Sequence, residues 1–189
     1  CEIGKRVWRK NMVAANDGNF SYRLDATTVL CTPTGISKGF MKNGDLVLCD
    51  LEGNQLPPAH GMNTRKITSE IRLHLNVYKK RPDVRSVVHT HAPHATAWAL
   101  SGRPVPKGVL EEVELTLGEV PITEYALTGT WEFAEKLDPW LANHDAFLLA
   151  HHGCVTFGKN PFAAWYRTEI LDHACHTLLL AEQTGTRLS

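Results

Sequence analysis

Two short histidine segments constrain this chain more than anything else in it. V-V-H-T-H (87–91) closes one apolar run and A-F-L-L-A-H-H-G (146–153) closes another, and both runs read as buried strands. Side chains two apart on a strand share a face, so His89 and His91 point the same way and can close on one ion. His151-His152-Gly153 is the obvious source of a third donor, which requires the two strand ends to lie side by side. A lone histidine is more often a satisfied core or surface residue. H-x-H ending one strand and H-H-G ending a second favour a metal centre with an open position for water or substrate.

The rest of the pattern is that of a mixed fold. Ile3, Val7 and Trp8 have helical spacing within residues 2–15, and Asn16-Asp17-Gly18-Asn19 supplies turn chemistry after them. Thr28–Thr32 and Asp45–Asp50 read as an antiparallel strand pair. Ile67, Ile71, Leu75 and Tyr78 mark a helix with Thr68 or Ser69 near its N-cap. A strand over 84–90, a short helix over Pro93–Leu100, an unassigned connection at 102–118 and a helix over Thr128–Leu141, interrupted or ended near Pro139, follow. Strands at Ala146–Ala150 and Cys154–Phe157 precede a final helix that starts at Pro161 behind Asn160 and runs to about Gln183. No repeat or flexible linker interrupts this order, and 189 residues suit one core, so a single three-layer α/β domain over 1–189 is expected.

Charge and composition narrow the function classes. Lys+Arg equals Asp+Glu at 20 each, so nothing draws the chain to a phosphate backbone and no nucleic-acid role is expected. The apolar runs are far shorter than a membrane span, and no basic-then-apolar leader opens the sequence. Five cysteines with no C-x-x-C pair read as reduced thiols, hence a cytoplasmic location.

Glu70 is placed in the first turn of the helix before the H-x-H strand. It reads first as a surface acid that suits the helix dipole, and second as a base beside a metal that polarises a substrate carbonyl. His74, four residues on, shares its face and either orients it or merely packs there; packing is favoured. Gly18-Asn19, Thr34-Gly35 and Thr68-Ser69 offer backbone N–H groups, hydroxyls and an amide to a phosphate, without a fixed charge. Each is weak alone; together with a metal they suggest a small phosphorylated carbonyl substrate.

G-N-F-S (18–21), C-T-P-T-G (31–35), D-L-V-L-C-D-L-E-G (45–53), T-S-E-I-R-L-H (68–74), V-V-H-T-H (87–91) and H-H-G (151–153) occur in one order over residues 2–182. In these motifs the chain resembles the class II, metal-dependent aldolases, a family that includes L-fuculose-phosphate aldolases and L-ribulose-5-phosphate 4-epimerases. The resemblance implies a three-layer α/β/α fold around a central, largely antiparallel sheet, assembled as a homotetramer with active sites at subunit interfaces. It implies zinc, or another divalent ion such as Mn²⁺ or Co²⁺, on His89, His91 and His152, with His151 not a ligand. Glu70 would be the catalytic acid/base, and Asn19, Thr34, Gly35, Thr68 and Ser69 would hold the substrate phosphate. The implied reaction is cleavage of a ketose 1-phosphate to dihydroxyacetone phosphate and a small aldehyde through an enediolate.

Within the family, Glu70 and Thr32 favour an aldolase over the epimerases, which carry Asp and Lys at these places. The 60 residues between His91 and His152 are fewer than in the dehydratases. A decarboxylase and an adducin-like interaction domain are the remaining alternatives, the last disfavoured because all three histidines and Glu70 are present. Two features depart from the fuculose-phosphate aldolases. Val109–Leu117 lacks the tyrosine that protonates the aldehyde oxygen, and the sequence given ends at Ser189, short of the tail that shapes the aldehyde pocket. Glu111, Glu112 and Glu114 lie in that connection and are read as a solvated face.

Overall fold

The structure is a computed structural model that describes residues 1–185; the last four residues of the expected 1–189 domain lie outside the described residues. Its six strands are β1 (Asn19–Arg23), β2 (Thr28–Cys31), β3 (Val47–Asp50), β4 (Ser86–Thr90), β5 (Ala146–Leu149) and β6 (Gly153–Gly158). They form one sheet in the order β3-β2-β1-β4-β6-β5, with every neighbouring pair antiparallel. The helices are α1 (Glu2–Arg9), α2 (Ile71–Lys80), α3 (Pro93–Leu100), α4 (Glu111–Thr116), α5 (Trp131–Glu135) and α6 (Pro161–Gln183).

Strand alternation divides the interior into two cores. Ala146, Leu148 and Cys154 face α1, α3, α4 and α6, where they meet Ile3, Val7, Trp98, Trp165 and Leu171. Phe147, Leu149, Val155 and Phe157 face the other way, onto Leu73, Leu75, Val77 and Phe133 of α2 and α5. Helices on both faces of the sheet give the three layers expected. No helix among the described residues is long and apolar enough to cross a membrane.

Several boundaries differ from the sequence expectations, each for a local reason. α1 stops at Arg9 because Asn11 turns left-handed (φ 56°) and the Met12 amide bonds back to the Val7 carbonyl, a helix stop that Asn tolerates. α2 starts at Ile71, so Glu70 sits at the N-cap rather than inside the first turn. The helix expected over 128–141 is only α5, capped by Thr130 through the Phe133 amide, because Pro139 cannot donate to a continuing helix and tight turns follow. α4 lies in the connection left unassigned, and β1 is a strand that the sequence reading leaves out, only its first residue, Asn19, falling in the expected turn. β1 carries apolar side chains only at Phe20 and Tyr22, since Asn19 and Ser21 on its other face belong to a polar network described below.

Candidate active site

Four segments meet at one end of the sheet. The register pairs Asn19 of β1 with His89 of β4, and Thr90 with Cys154 of β6, so the starts of β1 and β6 flank the end of β4. The turn from β5 into β6 is close-fitting: a Cβ on Gly153 would lie 2.4 Å from the Thr90 carbonyl oxygen, so only glycine lets the strands approach there. His151 takes a left-handed conformation (φ 58°) in that turn, and His152 follows it toward β4. Glu70, at the start of α2, completes the group.

His89, His91 and His152 present ligand atoms that all lie within 4.8 Å of one another. His89 is fully buried, and its Nδ1 donates to the Cys154 carbonyl at 2.9 Å; His91 Nδ1 faces an Asp17 carboxylate oxygen at 3.3 Å. Those partners fix both rings with Nδ1 protonated and leave each Nε2 a lone pair. Both Nε2 atoms are buried with no hydrogen-bond partner. An unpartnered buried nitrogen costs free energy unless something fills it, and three imidazoles converging in this way fit a divalent cation with an open position. Burial pushes the His89 pKa down to about 3 and lowers that of His91, so both rings are neutral and ready to ligate.

Glu70 lies against the same cluster, with Oε1 2.9 Å from His152 Nε2 and Oε2 3.4 Å from His89 Nε2. Burial alone would raise its pKa; the pull of the His89 imidazole, which gains charge only at the low pH where this carboxyl itself titrates, together with the His152 and Asn19 hydrogen bonds, outweighs burial and holds the carboxyl below its usual range. A connected chain orients it. Asn19 Nδ2 donates to Glu70 Oε2 at 2.6 Å, and Asn19 Oδ1 accepts from His74 Nε2 at 2.6 Å. His74 Nδ1 accepts from the Ser21 hydroxyl at 2.7 Å, which in turn accepts from Tyr78 at 2.7 Å. These directions require neutral His74, consistent with burial pushing its pKa down to about 4. His74 is therefore more than the packing residue expected, and Asn19 spends its side chain on the carboxylate.

Beside Glu70 lies a polar cavity of about 110 Å³, lined by Asn16, Asp17, Gly18, Asn19, Pro33, Thr34, Lys38, Thr68, Ser69, Glu70 and His91. It brings together the three stretches that the sequence suggested, with Gly35 next to it but off the lining. Sequence reasoning missed two members. Asp17 was counted as turn chemistry, although an acid beside Gly18-Asn19 could have marked a partner for a histidine. Lys38 was overlooked, although it stands in the same loop as Thr34-Gly35. Glu111, Glu112 and Glu114 are exposed on α4, away from this lining.

Comparison with known proteins agrees with the geometry. The family description "Class II Aldolase and Adducin N-terminal domain" matches residues 1–179. The chain is 32% identical to an L-fuculose phosphate aldolase of Methanococcus maripaludis over 171 residues, 90% of this chain and 89% of the relative. It is 31% identical to a 3-oxo-tetronate 4-phosphate decarboxylase of Haemophilus influenzae over 175 residues, 90% of this chain and 80% of the relative. Among solved structures, an L-fuculose 1-phosphate aldolase superposes with a TM-score of 0.88 at 27% identity, covering 98% of this chain and 85% of the other.

Proposed function

Since the chain belongs to the class II aldolase and adducin family and is an enzyme of the aldolase class, we propose that it cleaves a ketose 1-phosphate to dihydroxyacetone phosphate and an aldehyde. The observation that carries this reading is the juxtaposition of Glu70, the three-histidine cluster and a polar cavity of phosphate-binding character. His89, His91 and His152 would hold Zn²⁺, Mn²⁺ or Co²⁺. When bound, that ion polarises the substrate carbonyl and acidifies the neighbouring carbon.

The chain's own groups supply the rest. In the cleavage direction, Glu70, ionised at rest, takes up the proton released by the hydroxyl on the departing carbon as the bond beyond the carbon next to the carbonyl breaks; the aldehyde leaves, and Glu70 returns that proton to the carbon left behind. In the reverse direction Glu70 removes that proton. Asn19 and His74 hold the carboxylate toward the reacting carbon, while Thr34, Gly35, Thr68 and Ser69 would bind the phosphate that fixes the substrate's register. The decarboxylase relative favours a second reading, because loss of CO₂ from a 3-oxo acid leaves the same kind of carbon to be protonated. Exposed Phe40, Leu115, Tyr125 and Leu127 suit contact between copies, the homotetramer itself resting on the family resemblance, and a cytoplasmic location rests on five cysteines, an odd number with no C-x-x-C pair.

The test is a cleavage assay on L-fuculose 1-phosphate and related ketose 1-phosphates, reading dihydroxyacetone phosphate. Metal-dependent release supports the aldolase. CO₂ release from a 3-oxo acid phosphate, with no cleavage of any ketose 1-phosphate, would replace it with the decarboxylase.

A further inference from the structure

Lys38 is the most deeply buried cation in the neighbourhood of the site, at 1% exposure. Its backbone is clamped: a Cβ on Gly4 of α1 would lie 2.3 Å from the Lys38 carbonyl oxygen, and one on Gly39 would strike the Trp8 ring at 2.5 Å. The side chain runs inward from this clamp to the cavity lined by Thr34, Thr68 and Ser69. Its ammonium donates to the Asn16 carbonyl at 2.7 Å and the Ile36 carbonyl at 2.9 Å. An ammonium has three N–H bonds, so one remains. Among the described residues no carboxylate forms an ion pair with it; Asp17 and Glu70 act on it only from a distance.

A buried charge is ordinarily paired, and a lysine held by two carbonyls without a counter-ion is costly. Burial accordingly pushes its pKa down to about 8. The cost has a use if the missing counter-ion arrives with the substrate. The rest of the binding groups on this lining are neutral hydroxyls and amides, which orient an oxyanion but do not neutralise it.

We propose that Lys38 is the charged contact for the substrate's phosphate dianion, and that it sets the preference for a phosphorylated donor over its unphosphorylated counterpart. The proposal rests on the sugar-phosphate reading above and names the residue that enforces it. Thr34, Thr68 and Ser69 shape the cradle; Lys38 supplies its charge.

The test uses the full-length protein, Lys38→Met and Lys38→Gln, each checked for metal content and a cooperative melt. Methionine replaces the buried charge with an apolar chain of similar length but leaves the Asn16 and Ile36 carbonyls without this donor, a cost the melt reads; glutamine, neutral and still able to donate, is the second variant. Inorganic phosphate at constant ionic strength should raise the melting temperature of the wild type, acetate should not, and both variants should bind phosphate about 10- to 100-fold more weakly. The KM ratio between dihydroxyacetone and its phosphate should collapse by a similar factor, a readout that a merely structural lysine would not move. Wild-type phosphate affinity in a folded, metal-loaded variant overturns the role of Lys38 alone. A wild type that binds neither inorganic phosphate nor dihydroxyacetone phosphate overturns the functional reading with it.

Discussion

Two histidine clusters lie a few residues apart, and they are built on opposite principles. In the first, His89 and His91 spend Nδ1 on a backbone carbonyl and a carboxylate and leave Nε2 buried without a partner. In the second, His94 stacks on His176 with ring centroids 3.9 Å apart, and its Nδ1 lies 3.0 Å from Asp172 Oδ2. The other Asp172 oxygen accepts from the backbone amides of His94 and Ala95, capping α3. The second cluster has used its polar groups to hold α3 against α6. What separates a binding site from a structural one here is an unsatisfied, preoriented donor atom, and not the density of histidines.

The largest expected effect comes from removing one unsatisfied ligand. His91→Ala should lose bound metal and turnover together, because two imidazoles cannot close the site; metal analysis and the cleavage assay check it, and near-stoichiometric metal with full turnover would refute the ligand set. Next comes Glu70→Gln, which should keep the metal yet lose at least ~10²-fold in turnover, the usual worth of a general base.

His74→Leu probes the chain behind the carboxylate. Loss of the group that orients Asn19 should lower turnover about tenfold while metal content stays near wild type. The same variant has a pH signature. The folded pKa of His74, about 4, lies below its unfolded value of 6.5. Above 6.5 both states are neutral, and between 6.5 and 4 only the unfolded chain takes the proton. Wild-type stability therefore falls as the pH drops through that window, by up to roughly 3 kcal/mol from this residue, and the variant should lack that share when urea midpoints at pH 7 and pH 4.5 are compared.

The smallest effect on chemistry belongs to the second cluster. Asp172→Ala should cost about 2 kcal/mol of stability by uncapping α3, measured by urea denaturation, and leave metal content and turnover at wild-type levels. Loss of metal in this variant would erase the distinction between the clusters.

The sequence made this distinction only in part legible. H-x-H and H-H-G stood out because strand alternation puts two rings on one face and a glycine turn closes a second apolar run, although their meeting depends on the pairing of β4 with β6; α6 was readable from Asn160 to Gln183 because its cap and Pro161 are local signals. β1 was hidden for the opposite reason. Asn19 and Ser21 occupy positions where a half-buried strand would carry apolar residues, because they face His74 and Glu70 from α2, more than 50 residues away in the chain. Asp17 and Lys38 escaped for the same cause, since nothing local tells a turn acid and a loop lysine that they share one cavity wall; His74 was placed on the Glu70 face, but its hydrogen bonds to Asn19 and Ser21, far away in the chain, were not legible there.

The most direct measurement is proton exchange at the hydroxymethyl carbon of dihydroxyacetone phosphate in D₂O, followed by NMR with metal-loaded wild type, metal-free wild type and metal-loaded Glu70→Gln. The arrangement of Glu70 against the three histidines predicts exchange only in the first sample. Undiminished exchange in the Glu70→Gln sample, or none in the metal-loaded wild type, would contradict it.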